Sequence, residues 1–445
     1  IHALHLPLMM LMEGAHAGLV ILLVGSATLT ALALFDPKKI RSQKRLWAPI
    51  LMLVMPLFFL LFTSPWFQRL PEEYILDYGT SLHVAEEVLA EHGPFGSGPD
   101  TFTMDYLRFR PESVLETRMW QVQFDRGSDV FTTLLSTWGL LPVVLLVIFL
   151  IGVLLRLGDT LIRRNDHEDW QTIAVLGSTW IAALSTRFVY PPDTVLELLF
   201  WLLTGLLLAR LLPKGKRVSL HEHSRPTLIL AISFVGTGIL FVVSLALMLQ
   251  VFHGEYLIGK AATAQQDGDT ARVVMITRGA TQVNRWRSDY ARAEAVARLQ
   301  HGRLLASQVG QGVMPDQVLD EMNGAVQAAR RATKLEPLDA DVAQLLGTIY
   351  QSMTQVVQGA STMAIEGYRT SVELDPVHPH RRIALARALL NAADQIALMT
   401  DAPEARQELL GLYLSEALTA TERAIELQPS YAQAYYVRQH VPERH

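Results

Sequence analysis

Apolar and polar positions divide this chain near residue 252. Before that point six runs approach the roughly 20 apolar residues that carry a helix across a bilayer: residues 17–35, 46–62, 134–157, 172–190, 195–212 and 227–252. The first fifteen residues fit the end of a seventh. The second run is the shortest and contains Pro49 and Pro56, which neighbouring helices can accommodate. Between the second and third runs lies a long polar loop, residues 63–133. Within it Leu82, Ala85, Val88 and Leu89 recur at helical spacing, with Glu86, Glu87 and Glu91 on other faces. That pattern predicts an amphipathic helix lying at a membrane interface. Beyond residue 254 the chain is polar, and its apolar residues again recur at helical spacing.

Charge adds an orientation, because short cytoplasmic loops retain Lys and Arg. Alternate loops are basic: Lys38, Lys39, Arg41, Lys44 and Arg45; then Arg163 and Arg164; then Lys214, Lys216, Arg217 and Arg225. Residues 63–133 instead hold five Arg against twelve Asp and Glu, and residues 190–194 hold only Asp193. The long loop and the polar C-terminal region are therefore expected outside, with a multi-pass domain in the cytoplasmic membrane. The chain starts at Ile1 with no charged leader before its first apolar run, which suggests a fragment or processed chain with earlier spans missing.

Three segments of the polar region nearly repeat: AARRATKLEP ending at Pro337, GYRTSVELDP ending at Pro376, and TERAIELQPS containing Pro429. A weaker copy, GATQVNR, ends at Arg285. The prolines lie 39 and 53 residues apart. This resembles the tetratricopeptide repeat, whose second helix ends at such a Pro, although its usual period is about 34 residues. Residues 308–317 are a candidate insertion. Leu346, Gly347, Tyr350, Ala384, Ala388, Ala434 and Tyr435 are expected between helices, with Tyr368 and Leu374 in the same core. A solenoid of this kind implies protein partners or an extended polymer in its groove.

Composition narrows the classes. Half the residues are hydrophobic, 18% are charged, and the mean hydropathy is +0.23, against about 25% charge in soluble domains. A net charge of −5 lacks the basic footprint of a nucleic-acid binder. No cysteine is present, so disulfides and thiolate chemistry are excluded. No HExxH or paired-carboxylate motif points to a metal, and no cofactor is implied. The expected fold is all-α: a polytopic transmembrane helical domain over residues 1–252, then an extracytoplasmic tetratricopeptide-like repeat domain over residues 253–445.

The loop carries a further pattern. HGPFGSGPDTF (92–102) is followed by YLRFRP (106–111), then by MWQVQFDRGSDVFTTLLSTWGLLP (119–142) entering the third apolar run. This order resembles the O-antigen ligase and polymerase family of membrane glycosyltransferases: a helix, an FGxG turn, an Arg-rich stretch, and a His-Asn motif before a span that opens at a Gly. The turn is matched by Pro94, Phe95, Gly96, Gly98 and Phe102, the Arg-rich stretch by Arg108 and Arg110, and the span entry by Gly139. Ser128-Asp129 stands where the family has His-Asn, so the expected catalytic His is absent. Pro142 replaces a second expected Gly.

The resemblance implies transfer of a glycan from undecaprenyl diphosphate to a glycan or protein acceptor outside the cytoplasmic membrane, without a nucleotide sugar. A diphosphate leaving group suits Arg, whose planar fork forms paired charge-assisted hydrogen bonds. The acceptor hydroxyl suits a carboxylate or His base. Arg108, Arg110 and Arg126 are the diphosphate candidates, each with a surface ion pair as the plainer reading; so too Arg118. Asp129 and Asp125 are the candidate bases, and Asp129 equally suits a helix N-cap. Gly96 and Gly98 suit a tight turn or a phosphate cradle. Arg187 and Glu197, near the outer ends of two spans, suit an ion pair, or else Arg187 faces the donor. His2, His5, His16, His83 and His92 are outward on this topology, and any could replace the missing His only if brought near Ser128. The rival reading is a catalytically inactive relative whose repeats scaffold envelope glycan assembly.

Overall fold

The computed structural model describes residues 15–35, 47–61, 74–163, 167–191, 193–212, 224–397 and 404–441. The described residues are helical apart from turns, with a single isolated bridge between Val309 and Val313. They form two compact units, Ile1–Lys216 and Arg217–His445.

In the first unit α1 (Ala15–Phe35) packs on α2 (Trp47–Leu61). The long loop is folded, with α3 (Tyr78–His92), α4 (Phe102–Phe109), α5 (Val130–Thr137) and two short 3-10 turns. Three apolar helices follow: α6 (Leu140–Arg163), α7 (His167–Val189) and α8 (Thr194–Leu211). They share a core of Leu150, Val153, Ile173, Trp180, Phe200 and Leu207. The Trp180 indole stacks on Phe200 at 6.0 Å and donates to Thr204 Oγ1 at 2.8 Å, so its one polar atom is satisfied inside an apolar layer.

Among the described residues four helices are long and apolar enough to cross a membrane: α6, Asp169–Val189 within α7, α8, and Leu228–Gln266 in the second unit. Of the other two expected spans, α1 has 21 residues and contains the shorter apolar run Ile21–Leu32. The described part of α2 has 15 residues, a rise of about 22 Å at 1.5 Å each. The third expected run also changes. It opens at Leu140 rather than Leu134, because Gly139 adopts φ +84° and breaks the helix between α5 and α6. The basic residues Lys38 to Arg45, Arg164 and Lys214 to Arg217, and His2 and His5, lie outside the described residues.

The second unit opens with α9 (Ser224–Gln266), a 43-residue helix. It runs unbroken through the change of polarity at 252/253, while the compact units divide at 216/217. After it come α10 (Thr270–Val283), α11 (Ser288–Ser307), α12 (Pro315–Leu335), α13 (Ala340–Ser352), α14 (Ala360–Leu374), α15 (Pro379–Ala397), α16 (Glu404–Leu427) and α17 (Ala432–Gln439). Helices pair as α9 with α10, α11 with α12, α13 with α14 and α15 with α16, and each pair packs on the next.

The repeated motifs end helices as expected. α12, α14 and α16 stop at Leu335, Leu374 and Leu427, two residues before Pro337, Pro376 and Pro429, because a residue preceding Pro is steered away from helical backbone. α10 stops at Val283 within the weaker copy. Residues 308–314 form the connection between α11 and α12. The shared core includes Met322, Ile349, Tyr350, Tyr368, Leu389 and Ala434. Gly347 and Ala388 are buried, and Leu346 and Ala384 pack on its edge. Two expectations fail: Tyr435 is 46% exposed, because α17 buries the face of Ala434 and Val437, and Leu374 is half-buried outside that cluster.

Candidate functional site

The loop helices form a small folded cap. α3 is started by Asp77, whose carboxylate accepts from Thr80 N at 2.9 Å. Its buried stripe is Thr80, Ser81, Val84, Ala85 and Val88, while Glu86, Glu87 and Glu91 stay exposed. The apolar face expected at a membrane interface is thus used as protein core, centred on Val84 rather than Leu82. α3 packs on α4 and α5, and Tyr106 meets Phe124 edge-on at 5.4 Å.

The FGxG turn is a clamp on the entry of α6. Ser97 N donates to Ser136 O at 3.1 Å and Gly98 N to Thr137 O at 2.8 Å, while Gly96 N donates to Gly93 O. These are the amides a phosphate cradle would need, and all three are committed to carbonyls. Gly96 (φ +68°) lies against Gly139, where no β-carbon would fit on either side.

Beneath the turn sits a residue the sequence reading passed over. Asp105 is 5% exposed and accepts from Ser97 Oγ at 2.5 Å, Ser136 Oγ at 2.8 Å and Thr101 Oγ1 at 3.4 Å. Burial pushes its carboxyl above the ordinary value, opposed by those three hydroxyls and by His92. Its sequence signal was its place on the apolar face of α4, one turn after Phe102 and beside Tyr106.

Asp129 is the N-cap of α5 and is buried. Oδ1 accepts from Thr132 N at 2.9 Å and Oδ2 from Ser128 Oγ at 3.0 Å. Ser128 N donates in turn to Ser81 Oγ at 2.8 Å, tying this corner to α3. The plainer capping role is therefore filled, and Ser128 orients the carboxylate.

The arginines do not converge. Arg108 pairs with Glu91 at 2.7 Å. Arg110 is 2% exposed, reaches Trp120 O at 3.4 Å and lies 5.6 Å from the Tyr106 ring, so it braces the cap's interior. Arg126 is half-exposed and pairs with Asp125 at 3.0 Å; that hydrogen bond, against the effect of burial and with help from the charges of Asp125 and Asp193, raises its pKa further. Arg118 is exposed. Arg187 is buried, with Nη2 2.5 Å from Glu197 Oε2 and its guanidinium 3.9 Å above the Phe200 ring. Phe131 of α5 lies 4.6 Å from Phe188 of α7. That contact brings the α5 end of the cap, with Arg126 and Asp129, beside the α7–α8 turn that carries the Arg187–Glu197 pair. The turn of Gly96 and Gly98 meets the other end of α5, at Ser136 and Thr137, and Arg108 and Arg110 are engaged with Glu91 and Trp120 O. Among the described residues no three His, Asp or Glu side chains converge as a metal would require.

No protein-family model matches this sequence, and no curated protein matches it. Solved structures do. The crystal structure of MamA protein is 11% identical, covering 42% of this chain and 80% of that one, with a TM-score of 0.30. A second MamA crystal structure is 17% identical, covering 39% and 81%, at 0.27. TTC0263, a thermophilic TPR protein in Thermus thermophilus, is 14% identical, covering 42% and 98%, at 0.23. These similarities concern helical folds alone.

Proposed function

We propose that this chain is a membrane glycan ligase or polymerase, transferring a glycan from a lipid diphosphate to an acceptor outside the cytoplasmic membrane. What carries the reading is the meeting of Arg126 and Asp129 with the α7–α8 turn, through the Phe131–Phe188 contact, in a loop whose motif order resembles the O-antigen ligase and polymerase family. Arg126 is half-exposed and near the end of an apolar helix, where a headgroup diphosphate would lie. A guanidinium there stabilises the charge that develops as the sugar–phosphate bond breaks. Asp129 is the nearest buried carboxylate to take the acceptor proton. The repeats hold protein partners, consistent with stacked helical pairs.

The second reading, an inactive relative acting as a membrane-anchored scaffold, is favoured by two observations: both Asp129 oxygens already accept hydrogen bonds, and Ser128 stands in place of the His of the family this loop resembles. Asp129→Asn separates the two cleanly, because Asn caps a helix about as well as Asp and so preserves α5. An enzyme using Asp129 loses about 10²–10⁴ of glycan transfer in reconstituted membranes. Transfer unchanged in the variant removes Asp129 from the mechanism. No transfer by the parent under any donor supply, with repeat deletion still disturbing envelope partners, leaves the scaffold.

A further inference from the structure

The turn between α10 and α11 carries Arg285, Trp286 and Arg287. Trp286 is 78% exposed, a large apolar ring uncovered by the described residues. Arg285 is exposed as well and has no ion pair among the described residues. Arg287 is half-committed, 3.0 Å from Asp289 and 3.7 Å from Glu255. On its own such a turn is ordinary. Its position is not.

Three contacts fix the turn to one level of α9. Gln250 Nε2 donates to Val283 O at 2.7 Å. The Tyr290 hydroxyl lies 3.3 Å from Val251 O and 3.0 Å from Glu255 Oε1. The Tyr290 ring rests on Gly254, where an added β-carbon would stand 2.5 Å from a ring carbon. Residues 250–255 are where the apolar run of α9 gives out: Met248, Leu249 and Phe252 are exposed apolar side chains, followed by His253 and Glu255. The run from Leu228 to Phe252 rises about 37 Å, enough to cross a core of about 30 Å and end in the headgroup layer.

We infer that the Arg285–Trp286–Arg287 turn is a lipid-interface anchor that seats the first repeat on the outer bilayer surface. This rests on the reading of α9 as a membrane span. Trp favours that layer because its ring is apolar and its N–H polar, and the Arg fork pairs with phosphate. Tyr256, 53% exposed with Lys260 Nζ 4.8 Å above its ring, extends the same belt along α9. The partner is therefore an anionic phospholipid surface. Its effect is to hold the repeat stack at a set tilt and height.

The cysteine-free chain makes the test direct. Full-length protein carrying one fluorophore-labelled cysteine, from Gln282→Cys, Leu240→Cys or Glu373→Cys, is reconstituted into phosphatidylglycerol-containing vesicles, with Trp286 kept. Spin-labelled lipids then quench either near the glycerol backbone or near the chain ends. Expected is deep quenching at 240, shallow quenching at 282 several-fold above that at 373, and a drop at 282 when Trp286→Ala or Arg285→Ala is added. Quenching at 240 with 282 no different from 373, or unchanged at 282 by Trp286→Ala, overturns the anchor while leaving the span. No quenching at 240 overturns the span, and the anchor with it. An unchanged signal at 282 in the Arg285→Ala background removes the phosphate contact from the proposal.

Discussion

Gly96 and Gly139, 43 residues apart in sequence, meet backbone to backbone: a β-carbon on Gly139 would stand 2.5 Å from Gly96 N, and one on Gly96 2.7 Å from Gly139 N. Both hold positive φ. The obstacle on each side is main chain, which cannot rotate away as a side chain would. This pair locks the loop cap to the residue just before α6.

Gly139→Ala should therefore cost about 2–4 kcal/mol, combining overpacking with left-handed strain. Hydrogen exchange across α3–α5 should rise and the cap should become sensitive to trypsin at Arg108 and Arg118. Gly152→Ala, in α6 with nothing within 4 Å of its β-carbon, should be silent. Equal protection of the cap in both variants would show that the glycine pair is dispensable.

Asp105 supplies a pH dependence whose sign follows from its raised pKa. The folded cap prefers the protonated carboxyl, so its contribution is full below the ordinary carboxylate range and declines as pH rises through the raised value. Asp105→Asn keeps an acceptor for the Ser97 and Ser136 hydroxyls without the charge. Its melting temperature, relative to the parent, should climb between acidic and neutral pH. A relative fall over that interval would mean that Asp105 works as a stabilising anion.

Arg381 joins three helices of the repeats. It is 2% exposed, 2.8 Å from Asp375 and 2.6 Å from Asp341, and also donates to Ala340 O, Gln344 and Ser371. Burial works against its charge, but the two aspartates outweigh that and raise its pKa. Arg381→Met removes the guanidinium charge beside the fully buried Asp375, at a cost of roughly 3–5 kcal/mol. Leu374→Ala, half-buried, should cost less than the roughly 2–5 kcal/mol of a core leucine. Hydrogen-exchange protection of α13–α15 in the full chain ranks the two, and the reverse order would place the energy in packing.

Tyr290 should titrate late. Its pKa is pushed up to about 12, by burial and then by the hydrogen bond and charge of Glu255. The folded state resists ionisation, so stability is level below pH 10 and falls as pH rises from the ordinary 10 through about 12. Ultraviolet titration of Tyr290→Phe should lack one phenol from the latest-ionising group. Loss of an early-ionising phenol instead would show that Glu255 does not hold Tyr290.

By itself the sequence determined where the apolar helices lie and the helix ends that a Pro marks, but not the break at Gly139 or the continuation of α9 past residue 252. Apolar runs, helical spacing and the Leu-X-Pro endings are local signals. Backbone hydrogen bonding and the steric effect of Pro act within a few residues, so the stops at Leu335, Leu374 and Leu427 could be read from neighbours alone. The capping role of Asp129 was legible for the same reason. Tertiary structure decided what each side chain faces. The amphipathic stripe of α3 reads alike whether lipid or protein covers it, and only the packing of α4 and α5 chose protein. Asp105 became a buried acid through Ser97 on one side of it in sequence and Ser136 on the other, whereas the Arg187–Glu197 pair, across one short turn, could be read from the sequence. Gly96 and Gly139 are glycines because two distant segments touch. Such contacts join residues far apart in the chain, where no local pattern records the partner.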